Sequence, residues 1–430
     1  MISAVLFLSF FVFLILNVPI AICLGLSSVC AILYSGTSLT IVATNMYSGI
    51  SKFLLLAIPF FVLSGNIMAK AGISKRLIKF VNTCVGHRRG GIAIVCVIVA
   101  CFFGAISGSG PATVAALGAV LIPAMVEEGG FSAPFSTAMM ATSSSIAIVI
   151  PPSIAFVVYA SITGVSIADM FAGGIIPGVL MGLALIVVIM IEVRKKGIQP
   201  TTKKASWGER GKAFADAFWG FLMPIIILGG IYGGIFTPTE AGAFAVVYAL
   251  IICTFYYKEF SFKDIGSVLV SSAASTATIM FIVAGATAAS IYFTLAQIPA
   301  AMANLLGGLI EHPTLLMLLI NIFLLCMGMI MDCTPNILIF APVLFPIIKK
   351  AGIDPYYFAC LMNFNLCIGL ITPPVGVVLY VAMDASKDGE KLSVGPVVKH
   401  LLPFLAVEFG LLFLMIFVPQ LITVPLKWLT

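Results

Sequence analysis

The sequence contains few charged residues. Asp, Glu, Lys and Arg make up 9% of its 430 residues, whereas a water-soluble globular domain carries about 25%. Hydrophobic residues make up 61%, and the mean hydropathy is +1.20. The composition therefore predicts an all-α polytopic membrane protein.

The sequence also lacks the side-chain groupings of metal centres and hydrolases. Its ten cysteines form no CxxC pair and lie mostly in apolar segments, so we expect neither disulfides nor zinc. The histidines, His87, His312 and His400, lie at the ends of apolar runs, where none is placed to activate a serine. No GxSxG, GxGD or HExxH motif is present. We predict that the chain is not an enzyme and carries no cofactor.

The net charge of +6 does not indicate nucleic-acid binding, because the basic residues lie in short loops. If four of these loops are cytoplasmic, they hold 18 of the 22 Lys and Arg residues. Both termini then lie on the periplasmic side. The N-terminus lacks a basic signal-peptide region, so we expect its first span to be retained. The four loops are Lys70–Arg89, Glu192–Asp216, Lys258–Asp264 and Asp384–Lys399.

The stretch Gly104–Gly118 separates two apolar runs of about 12 residues, each too short for the 20 or so residues of a bilayer crossing. Its Ser-Gly-Ser-Gly-Pro sequence favours a broken backbone. We expect a re-entrant hairpin, about residues 90–128, in which two half-helices enter and leave on one side. Irregular backbone at that depth must face protein or a polar cavity, so the break is a place to bind an ion or an anionic solute.

A matching pattern follows in the second half. A break at Met331–Asn336 predicts a hairpin over about 313–350, and a Pro-Pro pair interrupts an apolar segment in each half, at about 133–161 and 355–383. Pro111 and Pro335 are 224 positions apart, and Pro151 and Pro373 are 222 apart. With five crossings per half, the halves are inverted repeats. The boundaries are 1–192 for the first repeat, 193–216 for a cytoplasmic linker and 217–430 for the second repeat.

Two acidic residues stand away from loops and span ends. Asp332 lies in the second break near Thr334 and Asn336, and a carboxylate at that depth indicates a functional site. The alternative is that Asp332 only caps the returning half-helix, and the two roles can coexist. Glu408 lies in the last span and is either a structural hydrogen-bonding group or a residue near an interface.

Hydroxyl and amide groups surround the two breaks, and no Lys or Arg lies near them. Ser143–Ser145 precede the first proline pair, and Asn363 and Asn365 precede the second. A single Ser or Thr in a membrane helix often bonds only its own backbone, but four such clusters at one depth favour a shared site. Oxygen ligands with one carboxylate suit a hard cation such as Na⁺.

Three stretches resemble the large membrane subunit of tripartite ATP-independent periplasmic (TRAP) transporters, of the DctM/SiaM type. They are Gly234–Ala243, which contains Thr-Pro-Thr-Glu-Ala-Gly, together with Ile58–Gly65 and Ser107–Thr113. The resemblance implies an elevator-type secondary transporter of the bacterial inner membrane, driven by a Na⁺ gradient. It also implies a periplasmic substrate-binding protein and a small four-helix membrane subunit as partners, besides membrane lipid, with no nucleic acid.

The resemblance also implies site residues. The sodium-binding set would be Ser107, Ser109, Ser143, Ser144, Asp332, Thr334, Asn363, Asn365 and Thr372. Substrate would lie near Thr113, Ser145, Pro151, Asn336 and Pro373. Pro111 is a departure that puts one ligand of the first sodium site in question. The implied substrate is an organic anion, with sialic acid (N-acetylneuraminate) slightly favoured over a C4-dicarboxylate.

Two other functions fit a membrane chain of this kind. One is a non-transporting scaffold that docks a periplasmic receptor. The other is a passive channel, but two dead-end hairpins suit alternating access better than an open pore.

Overall fold

The structure is a computed structural model that describes residues 2–200, 203–305, 307–386 and 392–429, which are helical with no strand. The α-helices in chain order are α1 (Ile2–Ile15), α2 (Ile20–Ser35), α3 (Thr40–Ile50), α4 (Ala57–Lys70), α5 (Ile73–Val85), α6 (Gly91–Ser107), α7 (Gly110–Glu127), α8 (Ala133–Ser145), α9 (Ile154–Thr163), α10 (Ile167–Lys196), α11 (Trp207–Tyr232), α12 (Pro238–Ile251), α13 (Phe262–Leu295), α14 (Ile298–Leu305), α15 (Gly307–Ile310), α16 (Pro313–Gly328), α17 (Cys333–Lys350), α18 (Pro355–Gly369), α19 (Val377–Ala385), α20 (Val394–Phe417) and α21 (Gln420–Leu429). Short 3₁₀ helices cover Phe53–Leu56 and Ile146–Ile148, and a π-helical turn covers Ile252–Tyr256.

Eight helical stretches in the described residues are long and apolar enough to cross a membrane. This confirms the prediction of a multi-pass all-α membrane protein. The eight include α7 and α17, each of 18 residues, which the sequence analysis assigns to hairpins. Both helices extend beyond their apolar runs into small and polar residues, so length alone does not separate a re-entrant arm from a full crossing. The re-entrant topology stays a prediction.

Several element bounds differ from those predicted. The polar residues of Ser35–Ser51 predict a loop, but Thr40–Ile50 form α3. This helix packs on α13, so tertiary contacts override the polar character of Thr40, Thr44 and Asn45. Apolar residues at helical spacing within Lys70–Arg89 predict an amphipathic helix, which is present as α5. A single final span is predicted at about 401–423, but the structure divides it into α20 and α21 after Phe417.

The helices form two groups that pack against each other. In the outer group, α1, α2 and α3 pack with α13, while α4 and α5 pack with α12 and α11. The central bundle contains the two helix pairs α6–α7 and α16–α17 and the two interrupted segments α8–α9 and α18–α19, together with α10 and α20. Within it, α19 packs on α7, and α9 packs on α17. Each interrupted segment therefore contacts the helix pair of the opposite half.

Arg76 fixes α5 to the outer group. Its Nε lies 3.1 Å from Asp216 Oδ1, its Nη2 lies 2.6 Å from Glu259 Oε1, and its guanidinium lies 4.0 Å from the centre of the Tyr257 ring. A planar guanidinium can satisfy two carboxylates and stack on an aromatic ring at once, which an ammonium cannot do. The polar side of the amphipathic helix is therefore bound to specific partners.

The Thr-Pro-Thr-Glu motif is a helix start. Glu240 Oε2 accepts hydrogen bonds from the backbone N–H and hydroxyl of Thr237, both at 2.8 Å, and the Glu240 N–H donates to Thr237 Oγ1 at 3.3 Å. Pro238 occupies the first helical position, where its missing N–H costs no hydrogen bond. The most specific motif in the sequence is thus a capping box for α12.

Candidate functional site

The first break lies between α6 and α7. Gly108 ends α6 with a φ of +62°, and Ser109 is extended before α7 begins at Gly110. A Cβ on Gly108 would lie 2.9 Å from the carbonyl oxygen of Pro152, so the backbone approaches the interrupted segment closely. The N–H of Ile154 donates to the Gly108 carbonyl at 3.4 Å. The tip of the first helix pair is therefore joined to the first proline pair.

The hydroxyls at this tip bond one another. Ser107 Oγ and Thr113 Oγ1 are 2.9 Å apart, and Thr113 Oγ1 donates to the Ser109 carbonyl at 2.8 Å. Thr113 is fully buried and Ser107 nearly so. These hydroxyl and carbonyl oxygens keep unused lone pairs, which suits them to a cation.

In the first interrupted segment, α8 passes through the 3₁₀ turn and stops before the cis Pro151–Pro152 pair. Ser145 Oγ donates to the Thr142 carbonyl at 2.7 Å, within its own helix. Ser143 and Ser144 have buried hydroxyl oxygens without a hydrogen-bond partner, although the thiol of Cys96 lies beside Ser143. Buried polar atoms are paired in nearly all native structures, so orphaned ones indicate an absent ligand, ion or water.

The second break lies between α16 and α17. Asp332 occupies the N-cap of α17 and is half-buried, next to the N–H groups of Cys333 and Thr334. It makes no capping hydrogen bond of good geometry. None of the ion pairs in the described residues includes Asp332. A carboxylate here faces a helix N-terminus and has room to bind a cation.

Three asparagines at the second break and in α18 have buried side-chain atoms without a hydrogen-bond partner among the described residues. Asn336 donates through Nδ2 to the carbonyls of Met331 and Asp332, both at 2.9 Å, which leaves its buried Oδ1 unpaired. Asn365 Nδ2 donates to the Asn321 carbonyl at 2.8 Å, and its Oδ1 is likewise unpaired. Asn363 is fully buried with an unpaired Nδ2. Asn321 was not predicted as a site residue, because one polar residue in an apolar run does not indicate which residue it will contact.

The cis Pro373–Pro374 pair interrupts the second segment between α18 and α19. Thr372 Oγ1 donates to the Ile368 carbonyl at 2.7 Å, so this hydroxyl bonds its own helix. The N–H of Val375 donates to the Met329 carbonyl at 3.1 Å, which joins this segment to the second helix pair as Ile154 joins the first. Pro374 and Val375 are exposed, whereas Pro151, Pro152 and Ser153 are buried. The second proline pair is therefore more accessible than the first.

The two candidate sites lie next to each other. Cys367, in α18, donates through its thiol to the Ser145 carbonyl at 3.0 Å. Ser153, directly after the first proline pair, donates through Oγ to the Ile148 carbonyl at 2.6 Å.

Neither Cys367 nor Ser153 was predicted as part of the site. A buried cysteine in an apolar run is usually a small hydrophobic residue. The position of both residues close to a proline pair was the signal that could have identified them.

Glu408 lies behind the site. It is 0% exposed, and both carboxyl oxygens lack a hydrogen-bond partner among the described residues. Glu408 lies within electrostatic range of Cys367, and α20 packs on both α8 and α18. No polar group in the described residues therefore forms the structural hydrogen bond considered for Glu408.

Residues 7–421 match the protein family described as the tripartite ATP-independent periplasmic transporter, DctM component. The chain is 38% identical to the 2,3-diketo-L-gulonate TRAP transporter large permease protein YiaN of Escherichia coli, covering 95% of this chain and 97% of that protein. It is 40% identical to the C4-dicarboxylate TRAP transporter large permease protein DctM of Pseudomonas aeruginosa, covering 94% of each. These relatives are transporter permeases, which agrees with the prediction that the chain is not an enzyme.

A further relative is a longer protein. The isethionate TRAP transporter permease protein DctMQ of Oleidesulfovibrio alaskensis is 40% identical over 96% of this chain, which covers 65% of that protein.

The fold is shared with a solved transporter structure. The YdaH transporter of Alcanivorax borkumensis superimposes with a TM-score of 0.64 over 90% of this chain and 89% of that one, at 17% identity. This likeness concerns the fold alone. The match across residues 7–421 and the full-length relatives show that the chain belongs to the DctM family of TRAP transporter large permeases.

Proposed function

We propose that the chain is the transporting subunit of a Na⁺-coupled symporter for organic anions. The observation that carries this proposal is the half-buried Asp332, which has no ion-pair partner in the described residues and lies one helical turn before the unpaired amide oxygen of Asn336. One carboxylate with neutral oxygen ligands and a helix N-terminus suits a small hard cation. The first site would use the oxygens of Ser107, Ser109, Ser143 and Ser144. The second would use Asp332 and Thr334 with the Asn363–Thr372 region.

The substrate is proposed to be a small organic acid. The names of the relatives specify C4-dicarboxylate, 2,3-diketo-L-gulonate and isethionate, which are all anions. No Lys or Arg occurs in residues 91–128, 133–161, 313–348 or 355–383, which contain both breaks and both proline pairs, so helix N-termini, hydroxyls and bound cations would bind the negative charge. The contact region is proposed to include Thr113, Ser145 and Asn336, beside Pro151 and Pro373. The slight preference for sialic acid stays a prediction.

The proposed complex contains two further proteins. A periplasmic binding protein would deliver the solute, and a small membrane subunit would pair with the outer group. The longer DctMQ relative, of which this chain covers 65%, supports a second membrane component. We place the complex in the bacterial inner membrane with both termini of this chain periplasmic.

The movement is proposed to be an elevator. In support, the helix pairs and interrupted segments pack extensively with one another, with α10 and with α20, while α1–α3 pack with α13 and α4 with α12. The contacts of α5 with α6 and of α13 with α17 form the boundary between the two groups. A bundle that contains both breaks can move as one body against the outer group, and it would carry ions and solute together. The inverted repeats would give the central bundle its two end positions, one open to each side of the membrane.

The experiment is uptake into proteoliposomes that contain this chain, its small subunit and the binding protein. Two or more Na⁺ per monoanion would move net positive charge inward, and each net charge gains about 2.3 kcal/mol per 100 mV of inside-negative potential. We therefore expect accumulation that requires an inward Na⁺ gradient and increases with inside-negative potential. A scaffold that only docks a receptor would show no uptake, and equal uptake from K⁺ medium would exclude Na⁺ coupling.

A further inference from the structure

An apolar cavity of about 560 Å³ separates the outer group from the second helix pair. One wall comes from α1 and α2, with Phe10 and Leu24 among its residues, and the opposite wall comes from α16 and α17, with Ile320 and Leu344. Among the described residues, Ser27 is the one polar residue in the lining, and its hydroxyl donates to the Leu24 carbonyl at 3.1 Å. The described lining therefore offers no free polar group to water or to a charged solute.

The cavity opens sideways toward the bilayer. Phe11 and Leu319 line it and are also 45% and 44% exposed on the outer surface. The neighbouring residues Leu8, Val12 and Ile322 are exposed and apolar as well. The lining residues of α1 and α17 lie near the middle of their helices. The opening thus faces the hydrocarbon layer.

Water is a poor occupant for such a space. An apolar cavity of about 150 Å³ stays dry and takes up benzene instead, and this cavity is several times larger. Protein interiors are otherwise packed as tightly as organic crystals. A large dry void that is open to hydrocarbon will be filled by it, since a lipid chain is as apolar as the leucine and phenylalanine side chains around it.

We propose that this cavity binds an acyl chain of a membrane phospholipid. The chain enters between α1 and α16 and lies against Phe10, Leu24 and Leu344. No lysine or arginine of the described residues lines the cavity, so recognition is of the hydrocarbon, and the head group stays outside. The lining reaches Met331 at the second break but includes none of the residues proposed to bind sodium or substrate.

The test uses the complete transporter in vesicles of phosphatidylethanolamine and phosphatidylglycerol that contain a phospholipid with a diazirine midway along one chain. After illumination, labelled residues are mapped by mass spectrometry. Phe10, Ile320 and Leu344 are at most 6% exposed, so bulk lipid cannot reach them. We expect labelling at these inward positions as well as at Leu8 and Ile322. Labelling confined to the outward positions would overturn the proposal.

A variant tests whether the inward labelling requires the cavity. Ser27→Phe places a ring in the space, and we expect it to lose most of the inward labelling and keep the outward labelling. Leu26→Phe is the matched control, because Leu26 lies on the same helix, is 41% exposed and does not line the cavity. Unchanged inward labelling in Ser27→Phe would contradict the proposal. A cross-link between the small subunit and Phe10 or Leu344 in the wild type would mean that a protein helix fills the cavity. This result would contradict the proposal independently of any variant.

Discussion

The thiol of Cys367 donates a hydrogen bond to the carbonyl of Ser145 at 3.0 Å, and each residue lies six positions before its own proline pair. The two halves of the chain therefore meet through corresponding positions. The contact joins α18 to the end of α8, where the Ser145 carbonyl is close to the first break. It is a direct contact between the two interrupted segments.

Removing this donor should destabilise the central bundle. Cys367→Val leaves a buried carbonyl unpaired, and we expect the free energy of unfolding to fall by about 1 kcal/mol. Cys367→Ser retains a donor and should lose less. Thermal unfolding of the purified complex measures both variants, and a Cys367→Val protein as stable as the wild type would show that the contact contributes nothing.

Gly328 and Gly369 bring the backbones of α16 and α18 together. A Cβ on Gly369 would lie 2.7 Å from Gly328 Cα, so Gly369→Ala forces the two helices apart. We expect a loss of about 1–3 kcal/mol in unfolding free energy, as for other overpacked sites. Gly410→Ala is the control, because a Cβ there meets no atom within 4 Å. Equal melting temperatures for the two variants would contradict this packing.

The capping box of α12 predicts a structural role for the Thr-Pro-Thr-Glu-Ala-Gly motif. Thr237→Ala removes the side-chain cap and should lower the unfolding free energy by about 1 kcal/mol. Thr237 lies away from both breaks, so the Na⁺ dependence of uptake should be unchanged when uptake is normalised to folded protein. Thr237→Ser keeps the cap and is the control. An altered half-saturating Na⁺ concentration in Thr237→Ala would place the motif in the transport site instead.

The contact between Arg76 and Glu259 predicts a pH dependence. The hydrogen bond and charge of Arg76 hold the pKa of the Glu259 carboxyl below its ordinary value. A lowered folded-state pKa stabilises the protein above the unfolded value, about 4.3 for Glu, and this stability is lost as the pH falls through the folded value. The wild type should therefore melt above Glu259→Gln at pH 7, and the gap should close below about pH 4. A constant gap would exclude ionisation as its source.

The class of fold was readable from the sequence for a physical reason. Low charge and long apolar runs leave only membrane helices, and Gly108 with the proline pairs marks where helices must stop. The position of Asp332 at the start of α17 could be predicted too, because a carboxylate just before an apolar run is a local pattern for a helix N-terminus. The helix α3 was not predicted, because its packing on α13 outweighs the local polarity of its sequence.

Pairing between distant residues could not be read from the sequence. Asn365 with Asn321 and Cys367 with Ser145 are separated by 44 and 222 positions, and neither pair has a local pattern. The chemical role of a motif was equally hidden. Thr237–Glu240 carried the resemblance to the family, yet these residues cap a helix and do not line a site.

The most direct test of the proposed sodium site is the Na⁺ dependence of uptake by Asp332→Asn. Asparagine suits an N-cap position as well as aspartate does, so this change removes the charge and leaves the start of α17 intact. We expect a folded complex with little or no Na⁺-driven uptake. Uptake with the wild-type half-saturating Na⁺ concentration would mean that Asp332 only caps α17, and would contradict the proposed sodium site.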